Sequence, residues 1–268
     1  AKSGGKIKVN MFPGGVLGGD APNVSALQGG TLEMVSMNSG ILASQVKEFA
    51  VYDFPFMFAN GKEADAVVDG PFGKMMHAKL QDKGMVGLTY WELGFRNMTN
   101  SKRPINTVAD LAGLKIRVIP NPINLDWVKA LDANPTPMAF PEVYAALESK
   151  ALDGQENPLS VVLANKFFEV QKHLTLTNHM AFPAVIVASK KWWAALSDAD
   201  RATVTKVIKE AETWGYKTAI DADVNNLAKA KADGAKVIAF DIKSFQAVGG
   251  QVRDKYTAKN PLIADFYK

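Results

Sequence analysis

The stretch Gly113-Leu-Lys-Ile-Arg-Val-Ile-Pro120, together with Asp153-Gly-Gln-Glu-Asn-Pro158 forty residues on, decides how this chain is organised. Leu114, Ile116 and Val118 alternate with Lys115 and Arg117, the period-two pattern of a half-buried strand that places Arg117 on the polar face. Prolines 120 and 122 end that strand. Leu125 to Leu131 reads as a short helix, and Pro135 to Phe140 returns to extended chain. A second helix starts near Pro141, carries Val143, Tyr144 and Leu147, and gives way at Ala151 to Leu152, Asp153, Gly154 and the polar loop Gln155 to Pro158. The order is strand, helix, strand, helix, strand, which predicts an α/β sheet. Ligands of such open sheets bind at the carboxyl ends of the strands, where Arg117 and Asn157 would both lie. An arginine on a strand's polar face is usually a solvated surface charge, and spacing alone favours that reading over a functional one.

Working outward, Lys6 to Phe12 alternates as a strand ended by Pro13, Gly14 and Gly15, and Val24, Leu27 and Gln28 begin a helical pattern. Gly18, Gly19 and Asp20 fit neither a dinucleotide fingerprint nor a P-loop and read as a plain strand-to-helix turn. Leu32 to Met37 is the next strand. Phe49 to Phe58 packs five aromatic residues around Asp53 and Pro55, a pattern of core packing. A helix over Ala64 to Leu80, interrupted at Gly70 and Pro71, precedes a strand over Met85 to Trp91, and the chain crosses between Gly94 and Ser101, carrying Arg96.

Beyond Pro158 the pattern gives a helix over Val161 to Val170, an extended segment over His173 to Asn178 and a short apolar strand over Ala184 to Ala188. Ser197 then caps the strongest helical pattern in the chain, which continues to a stop at Gly234. Fully helical, that interval would be ~55 Å long at 1.5 Å per residue, so it lies across two lobes or bends near Gly215. A strand over Val237 to Phe240 and a helix over Ser244 to Tyr256 close the chain.

With 268 residues, 47% of them hydrophobic and 22% charged, the chain can bury a substantial core and suits two lobes better than one. Its net charge of +4 is scattered, with no clustered basic surface of the kind that tracks phosphates, so nucleic acid is not an expected partner. The absence of cysteine excludes disulfides, thiol nucleophiles and thiolate-bound metals, and suits an oxidising compartment without requiring one. No apolar run reaches the ~18 residues that span a membrane. The chain opens at Ala1 without an initiator methionine, as expected of a piece of a longer precursor. His77, His173 and His179 have no metal-ligand spacing, no serine sits in a nucleophile elbow, and neither a metal nor a cofactor is expected.

Four motifs carry a more specific likeness: Gly94-Phe-Arg-Asn-Met-Thr-Asn-Ser-Lys-Arg-Pro-Ile105, Leu114-Lys-Ile-Arg-Val118, Pro135-Thr-Pro-Met-Ala-Phe140 and Asp153-Gly-Gln-Glu-Asn-Pro158. In this order and at these separations the chain resembles the extracytoplasmic solute-binding subunit of tripartite ATP-independent periplasmic (TRAP) transporters, from Gly4 to about the last helix. The resemblance implies a two-lobed α/β periplasmic binding protein with a long helix bridging both lobes and ligand in the cleft between them. Lobe I would comprise residues 1–93 plus 183–215, and lobe II residues 94–182 plus 216–268. It implies a receptor that captures a small organic acid in the periplasm and hands it to the membrane subunits of the transporter. Arg117 would pair with the ligand carboxylate, assisted by Asn157, with Arg96 as a second cationic contact and Phe140 as an apolar wall; Asn38 and Phe182 are further ligand-binding candidates. A planar guanidinium fork matches a carboxylate with two parallel charge-assisted bonds, which lysine cannot reproduce. Two departures stand out. The strand and helix that family members place ahead of Lys6 are missing, and Val118-Ile-Pro-Asn-Pro122 and the pair Phe182, Pro183 differ from sialic-acid and dicarboxylate binders, which leaves the acid's identity open. A hydrolase or isomerase acting on a sugar acid in a similar cleft is the alternative, and needs Glu156 or Glu142 as general base.

Overall fold

The computed structural model describes residues 3–266. The strands are β1 (Met34–Asn38), β2 (Met85–Asn100), β3 (Lys115–Val118), β4 (Asn134–Pro137), β5 (Gly154–Pro158), β6 (His173–Ser189) and β7 (Lys236–Ile238). The helices are α1 (Asp20–Gly29), α2 (Gly61–Val68), α3 (Pro71–Gln81), α4 (Pro122–Ala130), α5 (Val143–Glu148), α6 (Leu159–Ala164), α7 (Lys190–Ala195), α8 (Asp198–Ala232), α9 (Ile242–Thr257) and α10 (Pro261–Phe266). The strands form one sheet in the order β1-β6-β2-β5-β3-β4, with β7 beside β6. The segment read from Leu114 to Pro158 is parallel: β3 pairs with β4 on one side and β5 on the other, with α4 and α5 as the crossovers.

Two strands cross the whole molecule. β2 and β6 run antiparallel, and the register Glu92↔Pro183 shifts by one residue before resuming at Phe95↔Ala181. The extra residue on β2 makes a bulge, and Gly94 takes it up at φ +90°, backbone that a side chain would strain. Partners change at that point. Residues 184–188 of β6 pair with β1, whereas residues 96–100 of β2 pair with β5 and residues 173–175 of β6 with β7. The sheet is thus two half-sheets sharing two bent strands. The sequence pattern had divided these strands, treating 94–101 as a crossing loop and separating 173–178 from 184–188; glycine and proline break the alternation, but the bulge lets the ladder continue.

α8 is a single 35-residue helix capped by Ser197, whose hydroxyl accepts from the Asp200 amide at 3.1 Å. It packs on β2 and on α6, and Ala230 near its end enters a core formed by Val143, Leu147, Val162, Phe167 and Leu174. The larger core gathers the Phe49–Phe58 aromatics, α3, β3, α4 and α9. One expected strand is missing: Lys6 to Phe12 pairs with no strand among the described residues, and Val9, Met11 and Phe12 stand 63%, 78% and 55% exposed. Alternation makes a strand only where a ladder partner meets its backbone groups.

Candidate ligand-binding site

Arg117 leaves the carboxyl half of β3. The strand is buried on both faces, so the side chain that alternation placed on the polar face is only 2% exposed. Its Nε and Nη2 both donate to the Met138 carbonyl, at 3.0 and 2.7 Å, and the guanidinium carbon lies 5.8 Å from the centre of the Phe140 ring, which packs in turn on Phe167. No carboxylate of the described residues reaches within ion-pair distance of it. Burial, and then the like charge of Arg96, push its pKa down to about 10, against the pull of Glu156, Asp20 and Glu142. This is a buried cation with no carboxylate at ion-pair distance and no bond from Nη1 among the described residues.

Arg96, two strands over on β2 with β5 between, is in a different state. Its Nε donates to Glu156 Oε2, and its Nη2 donates to Glu156 Oε1 at 2.8 Å and to the Glu156 carbonyl at 2.6 Å. The β2–β5 register, Arg96↔Pro158 and Met98↔Glu156, sets this pairing between side chains 60 residues apart. His179 Nε2 lies 3.2 Å from the same carboxylate, its Nδ1 2.8 Å from Thr177 Oγ1, and its ring stacks on Trp127. Burial lowers the His179 pKa and keeps the ring neutral near pH 7. Burial alone would raise Glu156, but Arg96 and His179 prevail and hold it at about 2. Arg96 Nη1 remains buried without a partner, and the Phe182 ring covers the guanidinium at 4.9 Å.

The polar run Gln155 to Asn157 is a fully buried strand rather than a loop. It tolerates burial because each side chain is paired: Asn157 Nδ2 donates to Gln155 Oε1 at 2.6 Å, Gln155 Nε2 to Thr99 Oγ1 at 2.8 Å, and Glu156 closes on Arg96. Asn157 is therefore turned to Gln155, its neighbour along the strand.

A third group lies where the carboxyl ends of β1 and β3 approach. Asn38 Oδ1 accepts from the Gly40 amide at 2.9 Å, and Asn121 Nδ2 donates to the Gly40 carbonyl and to Asp53 Oδ2, both at 2.8 Å. Gly40 is pressed so close to Asp53 that an added Cβ would sit 1.6 Å from Oδ2. Asp53 is buried, and burial raises its pKa to about 7, with Arg96 lowering and Glu156 raising it, which places this group in the field of the ion pair. Asn38 Nδ2, Ser39 Oγ and Asn124 Nδ2 are buried and unpartnered. The arrangement thus joins Arg117 to Phe140, and Arg96 to Phe182, with the two arginines in each other's field, while Asn38 belongs to the Asp53 group. Sequence reasoning named neither Glu156 as an ion-pair partner nor Asp53, Asn121, Asn124, Trp127 and His179 as neighbours. Two signals were available: an acid inside an aromatic decapeptide, and an asparagine preceding Pro122 at a helix start.

The profile of the bacterial extracellular solute-binding protein family 7 (DctP) matches residues 1–260. The chain belongs to this family. The 2,3-diketo-L-gulonate-binding periplasmic protein YiaO of Escherichia coli (strain K12) is 38% identical over 266 residues, 98% of this chain and 81% of that protein. A TRAP periplasmic solute binding protein from Polaromonas sp. JS666, solved bound to D-erythronate, is 37% identical with a TM-score of 0.95, over 99% of this chain and 89% of the other. The sugar acid binding protein DctPAm from Advenella mimigardefordensis, solved with galactonate, is 39% identical with a TM-score of 0.94, over 99% and 86%. This family member has the two-lobed α/β fold of TRAP periplasmic binding proteins, and it is a solute-binding protein rather than an enzyme. The hydrolase or isomerase alternative has no support, and its nearest base, Glu156, is locked to Arg96. No helix of the described residues is long and apolar enough to cross a membrane.

Proposed function

We propose that the chain is a periplasmic receptor whose Arg117 anchors the carboxylate of a small organic acid, and that it delivers this acid to the membrane subunits of a TRAP transporter. The observation that carries the reading is a buried guanidinium with no carboxylate at ion-pair distance among the described residues. A buried guanidinium without a counter-ion is costly, and an acid ligand removes that cost while bonding to the open edge of the fork. Arg96 Nη1 reaches the same ligand as a single donor, Phe140 and Phe182 wall the site, Asn38 contributes from β1, and Asn157 holds the strand between the two arginines. The relatives' carboxylate ligands support this class of cargo.

The lobes in this reading are residues 1–93 plus 183–215 and residues 94–182 plus 216–268. The partner change at the Glu92/Phe95 bulge supports that division. Contacts cross it: Asn121 to Gly40 and Asp53, Phe56 on Trp127 at 6.0 Å, and Phe54 near Tyr256 at 6.1 Å. Such contacts suit lobes closed on each other, with the cleft out of water and its ionic bonds strengthened. A thermal-shift screen of organic acids tests the reading. An acid that binds raises the unfolding midpoint, by about 2.7 kcal/mol of stabilisation at a hundred times its Kd. A complete absence of shifts across carboxylates, with shifts from neutral or cationic solutes, would remove it.

A further inference from the structure

Asn121 joins parts of the chain that lie far apart in sequence. It stands between β3 and α4 and is 2% exposed. Its Oδ1 accepts from the Ile123 amide at 2.8 Å, which caps the helix. Its Nδ2 donates to two acceptors, the Gly40 carbonyl and Asp53 Oδ2, each at 2.8 Å. Both hydrogens of the amide are thereby used, and it has no donor left for a ligand. The acceptors come from the turn that follows β1 and from the end of the short helix Lys47–Asp53. Glycine at 40 lets them meet, since a Cβ there would strike the Asp53 carboxyl. Pro122 fixes the backbone directly after the amide, and Trp127 on the same helix packs on Phe56.

In the proposed lobe division Gly40 and Asp53 belong to lobe I and Asn121 to lobe II, so both bonds from Nδ2 break when the lobes part. Hydrogen bonds demand short distances and good alignment, and a small separation abolishes them. Water then takes their place, which keeps the net gain from each bond small and the step reversible. The bond to Ile123 lies within lobe II and survives, so α4 keeps its cap in either state. We propose that Asn121 is an interlobe latch: its amide holds the closed form by bridging to Gly40 and Asp53, and it sets how long a bound acid is retained without touching that acid. The latch presupposes the two-lobed receptor of the proposed function, with its ligand held between the lobes.

Asn121→Ser keeps a capping oxygen for α4 and is too short to bridge. Its rates are read by stopped-flow fluorescence with D-erythronate and galactonate, the acids held by similar solved proteins, or with the tightest acid of the thermal-shift screen where neither binds. Each lost bond is worth roughly a factor of two to ten, so dissociation should be about fivefold faster or more, with association unchanged or faster. A fold that is merely less stable lowers the unfolding midpoint and leaves dissociation alone. Asp53→Ala breaks the bridge from the other lobe without altering α4. It should speed dissociation by more than about twofold, and by less when Asn121→Ser is already present. Dissociation within about twofold of wild type in folded Asn121→Ser, or a loss confined to association, overturns the latch and leaves the carboxylate receptor standing. Where Asn121→Ser does not fold, the Asp53→Ala rate decides by the same limit. Where no acid binds, the receptor reading falls, and small-angle scattering of the ligand-free proteins decides the latch: a larger radius of gyration for Asn121→Ser supports it, and equal radii overturn it.

Discussion

Replacing Arg117 by methionine separates a binding charge from a structural one, because the two roles predict opposite effects on the ligand-free protein. The buried guanidinium titrates near 10 instead of 12.5, so holding it charged in the fold costs on the order of 3 kcal/mol. Against this stand its two bonds to the Met138 carbonyl, each contributing about 1 kcal/mol net. Methionine keeps much of the packing on Phe140 and removes the desolvation cost. The ligand-free variant should therefore unfold at the same temperature as the wild type or a few degrees higher. Binding should suffer in the other direction: losing a charge-assisted pair of bonds to a buried carboxylate costs about 3 to 5 kcal/mol, a factor of roughly 10² to 10³ or more in Kd. Arg117→Lys, which keeps the charge but not the fork, should fall between. Calorimetric titration with an acid from the thermal screen, and scanning calorimetry without it, give the two numbers. An affinity within twofold of wild type, or a midpoint lowered by ten degrees or more, would show that Arg117 serves the fold and not the ligand.

Glu156→Gln should do what Arg117→Met does not: it leaves the Arg96 charge buried and unpaired, costing about 3 kcal/mol and lowering the midpoint by roughly 6–12 °C in the ligand-free protein, read by scanning calorimetry. Gly40→Ala forces a Cβ onto Asp53 and separates both bonds from Asn121, so urea unfolding should show a loss of about 2 kcal/mol or more; an unchanged midpoint would contradict that packing. Asp53, raised from 3.8 to about 7, is an acid that the fold holds protonated: its stabilising effect is complete below pH 4 and is lost as pH rises through 7. Asp53→Asn should accordingly gain stability relative to wild type between pH 5 and pH 8, by at most about 4 kcal/mol, in parallel urea titrations. The difference between the two proteins is the quantity to follow, since His77, lowered by burial to about 4, makes the wild-type curve rise with pH below 6.5.

Local pattern carried the parallel unit and the long helix well. Leu114 to Pro158 has uninterrupted alternation, prolines at helix starts and a polar end, and Ser197 caps a periodic run too long for one lobe; neighbouring residues hold all of that information. What failed needed residues far apart. Gly94 and Pro183 read as breaks because a bulge looks like a turn until its partner strand is known. Gln155 to Asn157 read as a loop because three polar residues in a row are seldom buried, and Thr99 and Arg96 of β2, brought alongside by the sheet, make burial tolerable. Lys6 to Phe12 failed in the opposite sense, with the alternation of a strand and no ladder to join.

The two buried arginines show why the candidate site was harder to read than the fold. Arg96 and Arg117 sit on neighbouring parts of one sheet, each almost fully buried and each with an aromatic ring near its guanidinium. Periodicity treats them alike. They differ in the source of their counter-charge: the strand beside Arg96 supplies Glu156, whereas only the Met138 carbonyl meets Arg117. A cation neutralised by its own chain ties β2 to β5 within one half of the sheet. On the reading proposed for Arg117, a cation left without one keeps the ligand-free protein less stable than its core allows, and an acid that enters the cleft recovers that energy as affinity.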